Sequence, residues 1–278
     1  MKLCKKALAV SAGLFSVALL LSACASTDGA DNAAERPTIR VGLDPNLPPL
    51  SSLDPDDPSK IIGAEIDMME ATFAHLGYDF ELVPQAWSGI LPALDSGQVD
   101  VMWSILYYTP ERAANVDFIT YLRADTGVLA KEGSTLKISS TLDLCGLTGA
   151  ATLGTLEVDL YNEISTECKA ADLSGIDVLT FPDPAATVRA VQNERADVAT
   201  YNAVLVSTII EQVPGVEQIF IIPQNNLVGV GVAKGNVDLR DSIAEGVAWL
   251  QESGTQEDIL RAWGIDPDLM VSTEILTQ

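Results

Sequence analysis

Hydrophobic and polar positions along the chain predict strands and helices in alternation. The run TIRVGLDP, which starts at residue 38, has the composition of a short strand and is stopped by a proline. Four apolar residues then recur at the spacing of one helix face: Ile66, Met69, Phe73 and Leu76. Gly77 is typical of the residue that ends a helix, and the strand-like run YDFELVP follows it.

The same alternation continues in the next segment. Ser88 is the predicted N-cap of a helix that extends through Leu94, and Gly97 is predicted to end it. The apolar run VDVMWSI, which starts at residue 99, is the next predicted strand. This order of strands and helices indicates an α/β fold with mainly parallel sheets.

Two nine-residue segments resemble each other, ALDSGQVDV at residues 93–101 and AVQNERADV at residues 190–198. Each reads as a helix end, a polar turn and the entry to a strand, with Asp100 and Asp197 at matching places. Their spacing predicts two similarly built lobes. Ligands of open α/β sheets bind beyond the C-terminal ends of the strands, which are here residues 103–108 and 200–202.

The segment YYTPERAANVDF, residues 107–118, predicts the start of a helix, with Thr109 as N-cap and Pro110 at the first helical position. Arg112 is unexpected in that first turn, because a helix N-terminus carries the positive end of the dipole. Its role is therefore either a surface ion pair with Glu111 or Asp117, or the binding of an anion in the cleft.

The N-terminus predicts export. Three lysines followed by the apolar run Ala7–Leu21 indicate a secretory signal peptide over residues 1–23. The run ends in Leu-Ser-Ala-Cys, so Cys24 is a predicted lipidation site; an ordinary cleavage site with a chance cysteine is the alternative. Residues 24–36 predict a flexible tether. We thus expect a protein anchored by lipid to the outer face of the cytoplasmic membrane.

The remaining cysteines predict a disulfide. Cys145 and Cys168 form an even pair in an oxidising compartment, and two free buried thiols are the alternative. A zinc site would have too few ligands, because His75 is the only histidine in the sequence. No metal or cofactor is expected, and a structural role is predicted for His75.

The composition is strongly acidic, with a net charge of −23. Removing the signal peptide and its three lysines leaves 13 basic residues against 39 acidic residues, a net charge of −26. Such a chain repels nucleic acid, so no nucleic-acid partner is expected. The length suits two modest domains, and a monomer is expected.

Six motifs together resemble those of the bacterial extracellular solute-binding proteins of family 3, the polar amino-acid binders of ABC importers. They are IRVGLDPNLPPLSS, GAEIDMMEA, AWSGILPALDSGQVDV, TPERAANVDF, LVGVGVAKGN and GTQEDILRAWG, and they follow the family's order over nearly all of the mature chain. The resemblance implies a two-lobed, periplasmic-binding-protein-like α/β fold with a ligand cleft between the lobes. Lobe 1 would comprise residues 37–123 and 229–278, and lobe 2 with the connecting segments residues 124–228.

The resemblance also implies a site. In the family, the Arg of the TPER motif holds the carboxylate of the solute, and Arg112 stands at that place; a planar guanidinium can hold a carboxylate bidentately. The helix opened by Gly154 and Thr155 would offer N–H groups to the same anion. The other candidate ligand-binding residues are Asp44, Trp87, Ser104, Tyr107 and Asn202.

Two of these positions depart from the family's pattern. Tyr107 replaces a small Ser or Thr, and Asn202 replaces the Asp that pairs with the ammonium group of an α-amino acid. A buried unpaired ammonium group is costly. The solute is therefore either a derivative such as a methylated ammonium, held by cation–π contact with Trp87 and Tyr107, or an amino acid whose charge is met by Asp44 or another carboxylate.

The leading prediction is the solute-binding component of an ABC importer, which delivers a small carboxylate-bearing solute to a membrane permease and performs no chemistry. A dehydratase-like enzyme on the same fold would need a positioned acid or base; Glu157 and Asp44 are candidates for cleft acids, but nothing in the sequence marks them as more than polar lining. A ligand-sensing domain for a receptor is the third possibility.

Overall fold

The computed structural model describes residues 36–277, in which twelve strands and eight helices form an α/β fold. The predicted signal peptide, Cys24 and residues 24–35 of the tether lie outside the described residues. The strands are β1 (Thr38–Leu43), β2 (Asn46–Leu47), β3 (Ser51–Leu53), β4 (Ile61–Ile62), β5 (Asp79–Pro84), β6 (Val101–Tyr107), β7 (Val116–Lys131), β8 (Thr148–Thr152), β9 (Asp177–Phe181), β10 (Val198–Asn202), β11 (Val216–Ala233) and β12 (Ile275–Leu276).

The helices alternate with these strands through most of the chain. They are α1 (Ala64–Leu76), α2 (Trp87–Asp95), α3 (Pro110–Ala113), α4 (Leu156–Ala170), α5 (Pro184–Gln192), α6 (Ala203–Gln212), α7 (Val237–Glu252) and α8 (Thr255–Ala262), with two short 3₁₀ turns at Thr141–Leu144 and Pro267–Leu269. Among residues 36–277, none of the helices has the length and apolar character that crossing a bilayer requires.

The main sheet consists of two half-sheets joined by two long strands. Its order is β5-β1-β6-β11-β7-β10-β8-β9, with β12 added to β7. Pairs within the first half-sheet (β5-β1-β6) and the second (β10-β8-β9) are parallel, as predicted, whereas β7 and β11 run antiparallel to each other through the centre. Because β7 and β11 are the strands shared by both halves, they connect the two lobes; the exact lobe limits stay a prediction.

The two similar segments occupy equivalent places in the two half-sheets. The N–H of Asp100 donates to the carbonyl of Arg40 at 2.8 Å, and its carboxylate accepts from the N–H of Arg40 at 2.9 Å. Asp197 exchanges the same two bonds with Thr148, at 2.8 and 2.7 Å. In both lobes an aspartate thus closes the turn from a helix into a strand.

The first helix confirms the apolar periodicity, and the second corrects a predicted cap. Helix α1 ends at Gly77, whose φ of 71° is the left-handed conformation that glycine adopts without strain. Helix α2 begins at Trp87, one residue before the predicted cap Ser88. The Trp87 N–H donates to the carboxylate of Asp44 at 3.0 Å, so a residue distant in sequence supplies the cap.

The predicted disulfide is present between Cys145 and Cys168, with Cα atoms 5.6 Å apart. Cys168 is fully buried near the end of α4, and Cys145 follows the first 3₁₀ turn. The bridge therefore ties α4 to the segment that precedes β8. His75 is exposed and stacks on Trp249, with ring centroids 4.2 Å apart.

Candidate functional site

A cavity lies where the C-terminal ends of β6 and β10 face each other, at the strand ends that the sequence indicates. Its atom-free volume, with the open mouth included, is about 490 Å³. Strand ends and helix starts of both half-sheets contribute to its walls. The lining residues are Asp44, Leu47, Trp87, Ile105, Tyr107, Thr152, Thr155, Leu156, Glu157, Pro184, Thr200, Tyr201, Asn202 and Leu205.

The candidate residues fall into three groups by position. Asp44, Trp87, Tyr107, Thr155 and Asn202 line the cavity itself. Arg112 and Gly154 lie beside it, and Ser104 is buried behind the wall.

Asp44 follows β1, and its carboxylate orders the loop around it. One oxygen accepts from the N–H and side-chain amide of Asn46, at 3.0 and 2.8 Å, and the other accepts from the N–H of Trp87. Burial raises the pKa of Asp44, while these bonds oppose the shift. Both oxygens are therefore used inside the protein, which leaves Asp44 poorly placed to pair with an ammonium group of a solute.

Ser104 supports the wall rather than lining it. Its hydroxyl accepts from the N–H of Asp44 at 3.1 Å, and its carbonyl accepts from the indole N–H of Trp87 at 3.2 Å. Ser104 is fully buried. It fixes the position of Asp44 and the orientation of the Trp87 ring, which does line the cavity.

Arg112 spans from one lobe to the other. Its helix starts as predicted, with the Thr109 hydroxyl accepting from the Arg112 N–H at 3.1 Å. The guanidinium donates to the carbonyl of Tyr107 at 3.0 Å and to that of Gly154 at 3.3 Å, and it lies 5.1 Å from the ring centroid of Trp87. A cation of the protein itself thus covers one face of Trp87.

The alternative prediction for Arg112 is a surface ion pair with Glu111 or Asp117, and neither pair is formed within residues 36–277. Asp117 is paired with Lys234 at 3.0 Å and with Arg240 at 3.4 Å. No ion pair within 4.0 Å joins Arg112 to a carboxylate of the described residues. Its guanidinium is held by backbone carbonyls, which are weaker partners than a carboxylate.

Three buried polar groups in the cavity wall make no hydrogen bond of good geometry with the described residues, although Asn202 lies close enough to Tyr107, and Thr200 close enough to Tyr161, to lower the pKa of each phenol. They are the hydroxyls of Tyr107 and Thr200 and the amide nitrogen of Asn202. The Asn202 oxygen accepts from the N–H of Val204 at 2.9 Å, and this cap of α6 fixes the direction of the amide. Burial raises the pKa of Tyr107, so its hydroxyl stays protonated. Buried polar groups are rarely left unpaired, and all three can donate to acceptor atoms of a solute.

Glu157 is the second acid of the cavity. It lies buried in the first turn of α4, where burial raises its pKa and polar groups beside it, including its own backbone N–H, lower it. The charge of Arg112, on the other lobe, also lowers that pKa. The two groups are therefore near enough for the charge of Arg112 to affect the pKa of Glu157, and no ion pair within 4.0 Å joins them.

Several wall residues carry no sequence signal of their own. Ile105, Thr200 and Tyr201 fall within the predicted strand ends, but their direction into the cavity follows from the structure. The others lie at strand ends and in the first turns of helices: Leu47 of β2, Thr152 of β8, Leu156 of α4, Pro184 of α5 and Leu205 of α6. Backbone geometry rather than residue type brings these side chains to the site.

Comparison with known proteins gives one family. The model of the bacterial extracellular solute-binding proteins, family 3, matches residues 39–266. The L-cystine-binding protein TcyJ of Escherichia coli K12 is 28% identical over 234 residues, which cover 82% of this chain and 83% of TcyJ. The arginine-binding protein ArgT of Corynebacterium glutamicum is 25% identical over 294 residues, 97% of this chain and 95% of ArgT.

Solved structures share the fold. An ancestral arginine-binding protein bound to arginine is 28% identical with a TM-score of 0.73, over 82% of this chain and 98% of that one. An ancestral amino-acid-binding protein described as a precursor of cyclohexadienyl dehydratase is 26% identical, with a TM-score of 0.71 over 81% and 95% of the two chains. A histidine kinase sensor domain, 24% identical with a TM-score of 0.74 over 84% and 99%, shows the fold alone.

Proposed function

Because the chain belongs to the bacterial extracellular solute-binding proteins of family 3, we propose that it is the solute-binding component of an ABC importer. It captures a small carboxylate-bearing solute, an amino acid or a derivative, in the cavity between its lobes and delivers it to a membrane permease. The observation that carries this proposal is the set of three buried donors without a hydrogen bond of good geometry, in a cavity flanked by the Arg112 guanidinium.

The carboxylate of the solute is assigned to Arg112. In the structure, the guanidinium donates to two backbone carbonyls, and a carboxylate would replace them with stronger charge-assisted bonds. The start of α4 adds backbone donors, because the Thr155 side chain does not cap the helix and donates instead to the carbonyl of Thr152 at 2.9 Å. Anions bind readily at such helix N-termini.

An ammonium group of the solute is assigned to Glu157. Asn202 points its amide nitrogen, a donor, at the cavity, and the Asp44 oxygens accept bonds from within the protein. Glu157 is the remaining acid in the wall, and a cation beside it would offset the burial that raises its pKa. The cystine- and arginine-binding relatives make basic and polar amino acids the first compounds to test.

A thermal-shift screen tests this proposal. The panel is L-cystine, L-arginine, L-histidine and other amino acids, betaines, and simple carboxylates. A solute at a hundredfold excess over its Kd stabilises the protein by about 2.7 kcal/mol, so the melting temperature rises. Failure of every compound in the panel to raise it would contradict the proposal, and a response limited to betaines would keep the carboxylate site at Arg112 but exclude hydrogen bonds from the solute's ammonium group to Glu157.

Turnover distinguishes the proposed carrier from an enzyme. The dehydratase-precursor neighbour and the buried Glu157 are the observations that favour an enzymatic alternative. We expect every compound that binds to be recovered unchanged after prolonged incubation with the protein, as followed by proton NMR. Formation of a new product in molar excess over the protein would identify an enzyme. Binding without turnover, together with a receptor-kinase gene beside the gene for this protein, would favour a sensor.

Export with a lipid anchor at Cys24 completes the proposal. Members of the family are extracellular, and Cys24 follows an apolar run that ends in Leu-Ser-Ala. We expect the Cys24→Ala variant to lose its acyl chains and to appear in the culture medium, because two or more chains are what hold a protein stably on a membrane. Mass spectrometry of the N-terminal peptide and fractionation measure this. Equal membrane retention of both forms would contradict lipidation.

A further inference from the structure

The buried carboxyl of Glu65 lies beneath the cavity wall. Glu65 is in the first turn of α1 and is fully buried. One of its oxygens accepts from the N–H of Ile105 at 2.8 Å and from the hydroxyl of Tyr121. The other oxygen has no partner among residues 36–277. A buried carboxyl in such a place is costly and calls for an explanation.

Its backbone partner, Ile105, has an unusual conformation. The φ of Ile105 is 45°, in the left-handed region that a β-branched residue rarely adopts. Such strained residues persist where their surroundings hold them, and they cluster at functional sites. Ile105 lines the cavity, two residues before Tyr107.

The conformation of Ile105 belongs to an irregularity in β6. Met102 and Leu106 of β6 pair with Gly231 and Gly229 of β11, so β6 holds two more residues than its partner between the same two pairs. Some backbone groups of β6 between Met102 and Leu106 therefore have no hydrogen-bond partner on β11. The N–H of Ile105 is left for the carboxyl of Glu65, since buried backbone donors need a partner.

We propose that Glu65 is a positioning residue of the cleft: its carboxyl holds the N–H of Ile105, and thereby keeps the irregular segment of β6 in the shape that presents Ile105 and Tyr107 to the solute. The inference rests on the proposed function for its meaning, while its structural core, the link between Glu65 and Ile105, is independent of any ligand.

The charge state of Glu65 gives this link a measurable signature. Burial raises the pKa of Glu65 to about 7, and the bonds from Tyr121 and Ile105 oppose the rise. Tyr121 on β7 is the titratable side chain in contact with it, burial keeps that phenol protonated, and among the described residues no other charge contributes to the shift. The raised pKa places the titration of Glu65 near neutral pH, on the same carboxyl group that accepts from the Ile105 N–H.

The sign of the linked stability follows from the raised pKa. Between the ordinary pKa of a glutamate and about pH 7, Glu65 binds a proton in the folded protein but not in the unfolded chain. The protonated carboxyl therefore contributes its full stability below the ordinary pKa, and this contribution is lost as the pH rises through about 7. Glu65→Gln keeps an oxygen acceptor for Ile105 and cannot titrate. We expect its stability to change less with pH than that of the wild type over this window.

The direct test is the amide resonance of Ile105 in ¹⁵N-labelled protein between roughly pH 5.5 and 8.5. In the wild type it should titrate with a midpoint close to that of Glu65, and in Glu65→Gln it should not move. Tyr121→Phe is the matched control: it removes the other bond to the same oxygen, so Ile105 should still titrate, with its midpoint moved to higher pH because that bond opposes the rise in the pKa of Glu65. An Ile105 amide that is insensitive to pH in the wild type, or equally sensitive in Glu65→Gln, would overturn the proposal.

Binding gives the second readout, by calorimetry with L-arginine, L-histidine and L-cystine. Glu65→Gln should bind within about threefold of wild type, and Glu65→Leu about tenfold more weakly, because it leaves the Ile105 N–H unpaired. Wild-type affinity in a folded Glu65→Leu variant would overturn the proposal. If Glu65→Leu does not fold, the amide titration of Glu65→Gln decides the role of Glu65. If no compound binds the wild type, the proposed function is contradicted, and the same titration still tests the link between Glu65 and Ile105.

Discussion

Arg112→Ala is expected to weaken solute binding at least 30-fold. The variant leaves a buried carboxylate without its charge-assisted bonds, a loss of roughly 2–5 kcal/mol by analogy with buried charge pairs, and each 1.4 kcal/mol is about tenfold in Kd. Calorimetric titration of the compound that gives the largest thermal shift measures the effect. Arg112→Lys should recover part of the affinity, because it restores the charge without the planar fork.

The stability of the unliganded Arg112→Ala protein should fall little. The guanidinium donates to two carbonyls, those of Tyr107 and Gly154, and hydrogen bonds of this kind contribute about 1 kcal/mol each. Arg261→Ala is the matched control: Arg261 is exposed on α8 and is paired with Glu257, away from the cavity. Unchanged affinity in Arg112→Ala, or a loss of folding, would return Arg112 to a structural role.

Reduction of the Cys145–Cys168 disulfide is expected to lower the melting temperature by roughly 6–12 °C. In the chain-entropy model, a bridge across a sequence separation of 23 residues contributes about 3 kcal/mol, and each kcal/mol corresponds to about 2–4 °C in a chain of this size. Calorimetry of the wild type with and without reductant measures this change without altering the amino-acid sequence. Solute affinity should change little, because the bridge joins α4 near its C-terminal end and the cavity lies at its N-terminal end.

The double variant Cys145→Ala/Cys168→Ala controls for the reductant, which should have no effect on it. Its melting temperature should lie at or below that of the reduced wild type, because Cys168 is fully buried and its truncation also removes core packing. Peptide mapping without reduction should give one linked pair. Two alkylatable thiols in the untreated native protein would show that the bridge is not formed.

The start of the TPER helix shows what local pattern predicts well. Thr109 caps that helix with its own hydroxyl, and Gly77 ends α1 in a left-handed conformation, both as the sequence indicates. Caps of this type are formed by residues close in sequence, so residue type and spacing suffice. The cap of α2 is different, because its acceptor is Asp44, 43 residues away, and Ser88 was a wrong prediction for that reason.

The functional site likewise combines features that the sequence predicts with features that only the fold determines. Residue type alone marked Arg112 as unsuited to a helix start, and the resemblance gave it a carboxylate as partner. That Arg112 also covers one face of Trp87 follows only from the meeting of two helix starts in space. The chemistry of Asp44 likewise changed in three dimensions, since a free cleft acid became an acceptor for three donors of its own chain.

By itself, the sequence determined the α/β class, the family, the disulfide pair and the strand ends at which the cavity lies, because each depends on periodicity, parity or motifs along the chain. Only the tertiary structure decided which polar groups in the cavity are left unpaired and which acid is available. It also placed Glu65 of α1 under Ile105 of β6, a contact between residues 40 positions apart. Hydrogen-bond satisfaction and burial depend on every element around a group, so they are properties of the folded chain.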